Sequence, residues 1–490
     1  MTAIITTALG GLLALCTFVV LHRVYLSPLR HIPGPGFAAV TRFWYVWRLL
    51  KGKINLDIVA AHDRYGHFVR IAPNEVSVGH PDGPKKILLA TLHKAEWYKI
   101  ATFPDGRFFN TFAEADPKRK MELTRHISPG YTMSNLLQGE QAIDNNIALF
   151  LDWLDRFAEN GDSIKLGDYL RFATNDIVGD VLFSRPFGFL KKGADIADSL
   201  ANAEVQIAYV SVMGFFRWVH VLLLANPVVT WLNIVPWGHT LNIAKQALED
   251  RQKNPDGRYD VSTHWFRMLA ENPGRMERHE IDSAAFNAIG AATDTVAATI
   301  QAFVYYLMRH PDGYQRVRSE IAAAGLEDRV ISYADAQGLR FLQACIKESL
   351  RLFGPWGSRV LLQKGGITIG DQTFPEGTTL SVHPWVIHTS KEIWGEDARD
   401  FNPDRWFGDD VAQLEKHFIP FSLGYGSCPG QNLGRIELSK ICATLIRSYE
   451  FRQVEPEQQM HYEAYFGLTA HMPACYILKA NNGGVQAPAA

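Results

Sequence analysis

The sequence predicts a mostly α-helical α+β protein: a single globule with a small sheet on its N-terminal side, preceded by one transmembrane helix. Helical patterns dominate from about residue 133 to residue 308. Short runs of β-branched and apolar residues are typical of strands, and they lie at 69–72, 75–78, 359–362, 366–369 and 379–382. The third observation is an uncharged apolar run at the N-terminus. No repeat or long low-complexity tract divides the rest, so the helices and the sheet are expected to share one core.

The N-terminal run spans residues 3–21 and contains no charged side chain. Its length matches that of a helix that crosses a bilayer. Arg23 and Arg30 follow it and no Lys or Arg precedes it, so the positive-inside rule predicts that the rest of the chain faces the cytosol. A cleaved signal peptide is the alternative, which the absence of a basic leading region disfavours.

A short segment rich in proline and glycine, HIPGPG at residues 31–36, follows the apolar run. Proline restricts the backbone and glycine interrupts regular structure, so the segment is expected to form a stiff hinge. The predicted organisation is an anchor at 1–22, a hinge at 23–36, a globular domain at 37–480 and a flexible tail at 481–490.

Charge, cysteine usage and missing motifs exclude several classes of protein. The net charge is −2, which implies no general attraction to nucleic acid. The 5 cysteines have no paired spacing, which argues against a disulfide framework and for a reducing compartment. The chain has no Walker loop, no Cys-x-x-Cys, no Gly-x-Ser-x-Gly and no His-Glu-x-x-His. It also has no recognisable nicotinamide or flavin site, so reducing power is expected from a partner.

The stretch FSLGYGSCPG, at residues 421–430, is a glycine-rich loop with one cysteine and a helical run directly after it. Glycines let a flat partner approach the backbone closely. Cys428 stands at the entrance of that helix, where backbone N–H groups and the helix dipole favour the thiolate. From the loop alone, a metal ligand, a nucleophile and a buried structural cysteine all stay open.

A long apolar run from residue 283 to residue 310 predicts a central buried helix, capped at Asp282 or the residue after it. Ala291, Asp294 and Thr295 share one face of this helix by their i, i+3, i+4 spacing. A buried acid and a buried hydroxyl are costly unless they have partners or a chemical role. The alternative is a threonine bonded back to its own helix and an aspartate in a surface salt bridge.

The cysteine loop resembles the haem-binding loop of the cytochrome P450 superfamily, whose pattern it matches at Phe421, Gly424, Cys428 and Gly430. Gly426 departs from that pattern, because the superfamily usually has a basic residue there that pairs with a haem propionate. Three further segments resemble motifs of the superfamily in the same order: GAATDTV at 290–296, ESLR at 348–351 and FNPDRW at 401–406. The resemblance covers the chain from about residue 33 to residue 479.

This resemblance implies haem b, iron protoporphyrin IX, as the cofactor and the Cys428 thiolate as the axial ligand of its iron. It implies that Asp294 and Thr295 deliver protons during oxygen activation, with Ala291 lying against the cofactor. It also implies a structural triad that locks the cysteine loop, formed by Glu348, Arg351 and Arg405.

The haem propionates need cations, and Gly426 supplies none. By resemblance, Arg359 takes one of these roles, and Arg125 or Lys120 takes another, because the tryptophan usual on that early helix is absent. The substrate pocket implied by position is aromatic and apolar, which suits a lipophilic substrate. Its predicted residues are Phe108, Phe109, Trp356, Phe466 and Leu468.

The activity that the resemblance implies is that of a monooxygenase, which inserts one oxygen atom from O2 into a lipophilic small molecule. It also implies NADPH–cytochrome P450 reductase as the electron donor and a single-pass location in the endoplasmic reticulum membrane. The segments at 385–388 and 394–397 resemble fungal members that make secondary metabolites. Two alternatives stay open: a haem-thiolate isomerase or dehydratase, and a non-catalytic haem-binding relative, which Gly426 suggests.

An acidic reductase is expected to dock on a basic surface on the cysteine side of the haem. The candidate residues for this surface are Lys118, Arg119, Lys120, Arg125, Arg435 and Lys440. The alternative is an ordinary solvated face of the protein.

Overall fold

The structure is a computed structural model, and it describes residues 1–102, 105–232, 238–254, 258–354, 358–362 and 365–480. Trp356 of the predicted pocket and the predicted tail at 481–490 lie outside the described residues. Within those ranges the chain is mostly helical with small sheets, so the predicted fold class is confirmed.

The α-helices are numbered in chain order. They are α1 Thr2–Leu21, α2 Phe43–Leu50, α3 Ile54–Tyr65, α4 Gly83–Leu88, α5 Pro117–Ile127, α6 Met133–Leu137, α7 Glu140–Asn160, α8 Leu166–Phe183, α9 Phe189–Lys192, α10 Ser199–Met213, α11 Arg217–Leu223, α12 Pro227–Trp231, α13 Gly238–Lys253, α14 Val261–Glu271, α15 Arg278–Arg309, α16 Pro311–Ala323, α17 Tyr333–Gly338, α18 Arg340–Leu352, α19 Pro384–His388, α20 Lys391–Trp394, α21 Val411–Leu414 and α22 Gln431–Ser448.

The strands form one larger sheet and several small ones. They are β1 Phe68–Ala72, β2 Glu75–Val78, β3 His93–Lys94, β4 Ser163–Ile164, β5 Ser358–Leu361, β6 Ile367–Ile369, β7 Gln372–Phe374, β8 Thr379–Val382, β9 Tyr449–Gln453, β10 His461–Ala464, β11 Leu468–His471 and β12 Cys475–Lys479. The larger sheet has the order β1-β2-β8-β5-β3, in which only β2 and β8 are parallel. The smaller sheets have the orders β4-β12-β9, β10-β11 and β6-β7.

The predicted strands are present, and they correspond to β1, β2, β5, β6 and β8. The larger sheet joins segments that lie far apart in the chain: Val76 of β2 stands beside Leu380 of β8. The sequence did not predict β3, β4, β7 or β9 to β12. Strands such as β10, with the sequence HYEA, have mixed polarity and only 4 residues, so their period-2 signal is weak.

The longest helix in the described chain is α15, which packs against α8, α13, α18 and α22. It begins at Arg278, because Glu277 and Glu280 form a capping box there. The predicted cap at Asp282 is therefore wrong, and this carboxylate instead accepts a hydrogen bond from Arg278 at 2.9 Å. The helix ends just before a proline, as predicted.

Helix α1 leaves its apolar side chains exposed, including Leu13 and Phe18. Two segments, Ile4–Leu26 and Ser199–Leu223, are long and apolar enough to cross a membrane by length and composition alone. The first of them is unburied in the protein, which fits the predicted anchor better than the partly packed second segment does.

The predicted hinge is held against the larger sheet. The backbone N–H of Arg70 donates to the carbonyl of Pro33 at 2.7 Å, and its guanidinium donates to the Ser27 hydroxyl at 3.1 Å. A Cβ atom at Gly34 would lie 2.1 Å from the Arg70 carbonyl oxygen, so only glycine allows this close approach.

Candidate functional site

A cavity of about 610 Å³ lies between α15 and the loop that precedes α22. Side chains from α5, α8, α10, α13 and β5 complete its walls, and most of the surface is apolar. Thr295 of α15 and Cys428 of the loop both line it. Its volume falls in the range of about 300–1,000 Å³ that is usual for small-molecule sites.

The loop presents Cys428 to this cavity. Its backbone N–H donates to the carbonyl of Phe421 at 2.9 Å, which closes the loop on itself. Gly424 has a φ of 59°, and a Cβ there would lie 2.5 Å from the Leu88 carbonyl oxygen, so glycine is required. Burial raises the pKa of the Cys428 thiol, whereas the backbone N–H of Gly430 acts to lower it. A cation or metal in the cavity would therefore be needed to hold the thiolate.

The two predicted proton-delivery residues face different surroundings. Thr295 lines the cavity and donates its hydroxyl proton to the carbonyl of Ala291 at 3.0 Å. Asp294 is buried on the other side of α15, where its Oδ1 lies 2.7 Å from Nε of Arg171 on α8. The i, i+3, i+4 spacing predicted that Ala291, Asp294 and Thr295 share one face of α15. Of these three residues, only Ala291 and Thr295 line the cavity.

Asp294 belongs to a chain of charged groups that begins in the interior and ends at partly exposed side chains. Arg171 also donates to Glu204 at 2.6 Å, and Glu204 lies 3.9 Å from His471. Burial raises the pKa of Asp294, and the positive charge of Arg171 opposes that shift. Its Oδ2 is buried and has no hydrogen-bond partner among the described residues, so this carboxylate lacks the full pairing that a buried charge normally has.

The structure brings the predicted triad together. Glu348 accepts from Nη2 of Arg351 at 2.7 Å and from Nε of Arg405 at 2.9 Å. Its second oxygen accepts from the indole of Trp406 at 3.1 Å. A fully buried carboxylate needs such complete pairing, because an unpaired charge in the interior is strongly destabilising.

His388 connects this triad to the cysteine loop, a role that the sequence did not reveal. Its Nδ1 lies 2.9 Å from the carbonyl of Arg351, and its Nε2 accepts from the backbone N–H of Ile419 at 2.9 Å. Ile419 begins the turn that leads to Phe421 and Cys428. A histidine at the end of a short apolar run carries no sequence signal for such contacts.

The predicted propionate partners lie at different depths. Arg359 lines the cavity, but its guanidinium donates to Glu75 at 2.9 Å and to the Tyr45 hydroxyl. Arg125 is exposed on α5. Lys120, one turn earlier, is buried and lines the cavity, where it donates to the Tyr425 carbonyl.

A second buried lysine, Lys94 of β3, lines the same cavity and was missed from the sequence. Its ammonium donates to the carbonyl of Phe112 at 2.8 Å. In the described part of the chain, neither Lys94 nor Lys120 forms a salt bridge with a carboxylate. Burial lowers the pKa of Lys120 to about 8 and lowers the pKa of Lys94 strongly. Two buried ammonium groups without carboxylates fit a ligand that carries two carboxylates.

These features together fit haem b. The cavity offers one thiol, an apolar wall of small α15 residues and two buried lysines without carboxylate partners in the described chain, which match the iron, the porphyrin plane and the two propionates. At Gly426 an added Cβ would meet only the Ser422 hydroxyl, at 3.6 Å, so the loop itself does not require glycine there.

The predicted pocket residues are only partly brought together. Phe466 lines the cavity and packs against Trp97, with ring centroids 4.3 Å apart. Phe108 instead lies beside His279, and Leu468 is buried in a separate apolar cluster. Neither of these two, nor Phe109, is among the described residues that line the cavity.

The predicted basic docking surface is smaller than expected. Lys440 is fully buried and pairs with Glu140 and Asp144, so its inclusion was wrong. The burial of Lys120 removes it from the surface as well.

Comparisons with known proteins agree with this geometry. The family model for cytochrome P450 matches residues 33–474. The chain is 31% identical to a cytochrome P450 monooxygenase of Aspergillus terreus, over 88% of this chain and 92% of that protein. It is 30% identical to a cytochrome P450 monooxygenase of Sarocladium schorii, over 89% and 90% of the two chains. It is 28% identical to pisatin demethylase of Fusarium vanettenii, over 88% and 85%.

Proposed function

This chain belongs to the cytochrome P450 family, and from that membership we propose that it oxidises a lipophilic small molecule of secondary metabolism. Enzymes of this family are monooxygenases that bind haem b through a cysteine thiolate. We further propose that NADPH–cytochrome P450 reductase supplies the electrons. The monooxygenase relatives of fungal origin support the assignment to secondary metabolism.

The observation that carries the proposal is that Cys428 and Thr295 line one apolar cavity from opposite sides. When bound there, haem with its thiolate ligand activates O2 and supplies the oxygen atom that enters the substrate. The apolar walls bind a lipophilic molecule and exclude bulk water, which limits unproductive proton transfer.

The roles proposed for the cofactor-binding residues follow from position and charge. Cys428 holds the iron, and the closed loop around it keeps the sulfur in place, with Phe421, Gly424 and Gly430 shaping that loop. Ala291 leaves room for the porphyrin plane beside α15. Lys94 and Lys120 pair with the propionates, assisted by Arg359 and Arg125.

The proposed proton path uses two side chains of α15. Thr295 donates a proton at its Oγ1 into the cavity, and it gives up the bond to the Ala291 carbonyl to do so. The carboxyl of Asp294 takes up a proton from water at its Oδ2, which lacks a partner among the described residues, and passes it through water to Oγ1 of Thr295. The chain through Arg171 and Glu204 connects this carboxyl to the half-buried His471.

The proposed location is the endoplasmic reticulum membrane, with α1 as the single anchor and the globule in the cytosol. A second apolar surface supports this, formed by exposed residues of α2 and α11 that include Trp47, Trp218 and Leu222. Tyr45 of α2 packs against Phe215, which lies two residues before α11, with ring centroids 5.7 Å apart. Exposed apolar patches of this kind indicate a surface that contacts a membrane or another protein.

Isotope incorporation tests this function directly. The haem-loaded protein, reconstituted with reductase and NADPH, should convert a member of a lipophilic panel to a product that contains one atom from labelled O2. The reduced carbon monoxide complex should show the red-shifted Soret band of thiolate ligation, and Cys428→Ala should lose it. Product formation without label or NADPH use would instead indicate the isomerase or dehydratase alternative.

A further inference from the structure

The far end of the cavity contains a buried histidine that the proposed chemistry does not use. His220 of α11 is 3% exposed and lines the cavity wall. Its Nδ1 lies 2.9 Å from the hydroxyl of Tyr209 on α10. Its Nε2 has no hydrogen-bond partner among the described residues. A buried polar atom left unpaired is costly, so its retention in an apolar wall requires an explanation.

The state of this imidazole follows from its surroundings. Burial, together with a smaller effect of the nearby Arg217, lowers the pKa of His220 to about 4, so the ring is neutral at physiological pH. A neutral imidazole carries one N–H and one acceptor nitrogen. A phenol is a better donor than a neutral imidazole, so Tyr209 donates to Nδ1 and the proton of His220 lies on Nε2. The unpaired atom is therefore a donor.

The position of this donor sets its distance from the site of oxidation. Tyr209 packs against Leu241 and Phe286, the second of which lies on α15. Phe286 precedes Thr295 by 9 residues on the same helix. A rise of about 1.5 Å per residue separates the two positions by about 13 Å. A ligand that reaches both ends of the cavity is therefore elongated.

We propose that His220 binds an acceptor oxygen of the substrate, a carbonyl or ether oxygen at the end of an elongated lipophilic molecule remote from the oxidised position. This inference rests on the proposed function, because it describes the substrate of that same cavity. Tyr209 acts as a positioning residue, since its hydroxyl holds the tautomer that keeps the proton of His220 on Nε2. Among the other polar residues of the wall, Gln206 and Asn287 are amides that both donate and accept, so they select less strongly.

The test compares ketones with the parent hydrocarbons of the same shape. Spectral binding titrations of the ferric holoenzyme would use two pairs, androstanone with androstane and benzoylbiphenyl with benzylbiphenyl. Wild-type protein should bind at least one ketone about tenfold more tightly than its hydrocarbon, which is the contribution of one hydrogen bond. His220→Phe should abolish that preference and keep the hydrocarbon affinity, whereas His220→Gln should restore part of it. Tyr209→Phe should reduce the preference without abolishing it.

Two results would overturn the inference: no ketone preference in either pair, or an equal preference in His220→Phe. The spectrum of the carbon monoxide complex is recorded first for each preparation. It distinguishes a failure of the His220 inference from a failure of the proposed function. Loss of the thiolate band in the wild-type protein would count against the monooxygenase assignment. A normal band without ketone preference would count against the role of His220 alone.

Discussion

His388 accepts a hydrogen bond at Nε2 from the backbone N–H of Ile419, 2.9 Å away. This bond fixes the tautomer, because Nε2 must be unprotonated and the proton then lies on Nδ1, which donates to the Arg351 carbonyl at 2.9 Å. Burial lowers the pKa of His388 to about 3, so the ring stays neutral over the physiological range. One imidazole thus joins the triad residue Arg351 to the segment that carries Cys428.

The first prediction follows from that link. His388→Phe removes both bonds and leaves the buried N–H of Ile419 unpaired, which should destabilise the protein by about 1–3 kcal/mol. The fraction of the carbon monoxide complex with the thiolate-type Soret band should fall. His388→Gln retains an acceptor at nearly the same place and should lose less. Equal losses in both variants would mean that the ring acts by packing alone.

The second prediction concerns proton delivery. Thr295→Ala removes a hydroxyl that, among the described residues, is bonded only to its own helix, so haem binding should stay intact. General acid–base groups typically contribute on the order of 10²–10⁴-fold, so product formation should fall and peroxide per NADPH consumed should rise. Asp294→Asn removes the charge that faces Arg171 and should have the same direction of effect. Unchanged coupling in both variants would favour the isomerase alternative.

Sequence spacing was sufficient to predict contacts between residues of the same helix. Glu348 and Arg351 are three residues apart on one helix, so their pairing follows from helix geometry. The same rule was insufficient for Asp294, because its direction depends on Arg171, which comes from a helix more than 100 residues earlier. Spacing therefore predicted which residues share a helix but not which neighbouring helix each side chain faces.

Burial was the second property that the sequence could not show. Lys94 carries no sequence signal of burial, and Lys120 and Lys440 were both predicted to belong to a basic docking surface, Lys120 also as a possible propionate partner. Tertiary packing buries all three, but within the described ranges only Lys440 forms salt bridges with carboxylates. His220 and His388 likewise differ from surface histidines only through contacts made by distant segments.

The third prediction concerns the two buried lysines. Lys120→Met should accelerate haem transfer to apomyoglobin, because a charge-assisted bond to a propionate contributes about 1.5–3 kcal/mol. The thermal stability of the haem-free protein should not fall, since the variant removes an unpaired buried ammonium group. Lys94→Met should act in the same direction, and Lys118→Met, on the exposed face of α5, is the matched control.

Gly426→Arg tests the opposite change, in which a cation for the haem propionates is added. Its backbone lies outside the left-handed region and its Cβ has room, so the arginine should slow haem loss in the Lys120→Met background. Gly424→Ala is the contrasting control, because its φ of 59° and the Leu88 carbonyl at 2.5 Å leave no space for a Cβ. Haem retention that is unaffected by either lysine would assign the propionates to Arg359 or Arg125.

The last prediction concerns docking of the reductase. Helix α5 packs against the turn at 424–426 of the cysteine loop, and the Arg435 guanidinium lies 5.2 Å from the Phe421 ring centroid. Helices α5 and α22 therefore carry exposed cations on the side of the site from which an electron would reach Cys428. These cations are Lys118 and Arg125 on α5 and Arg435 on α22. Arg119 contributes less, because Glu280 and Glu122 neutralise it.

Charge complementarity at such a surface mainly raises the association rate and weakens with salt. Lys118→Glu combined with Arg435→Glu should therefore slow first-electron transfer from the reductase at low ionic strength and converge with the wild-type rate at high ionic strength. The control is Lys191→Glu combined with Lys192→Glu, two exposed lysines on α9, which packs against α7 and α8. That control should leave the rate and its salt slope unchanged. Equal rates and equal slopes in both double variants would exclude this surface, because a docking site built from these cations cannot tolerate their reversal at low salt.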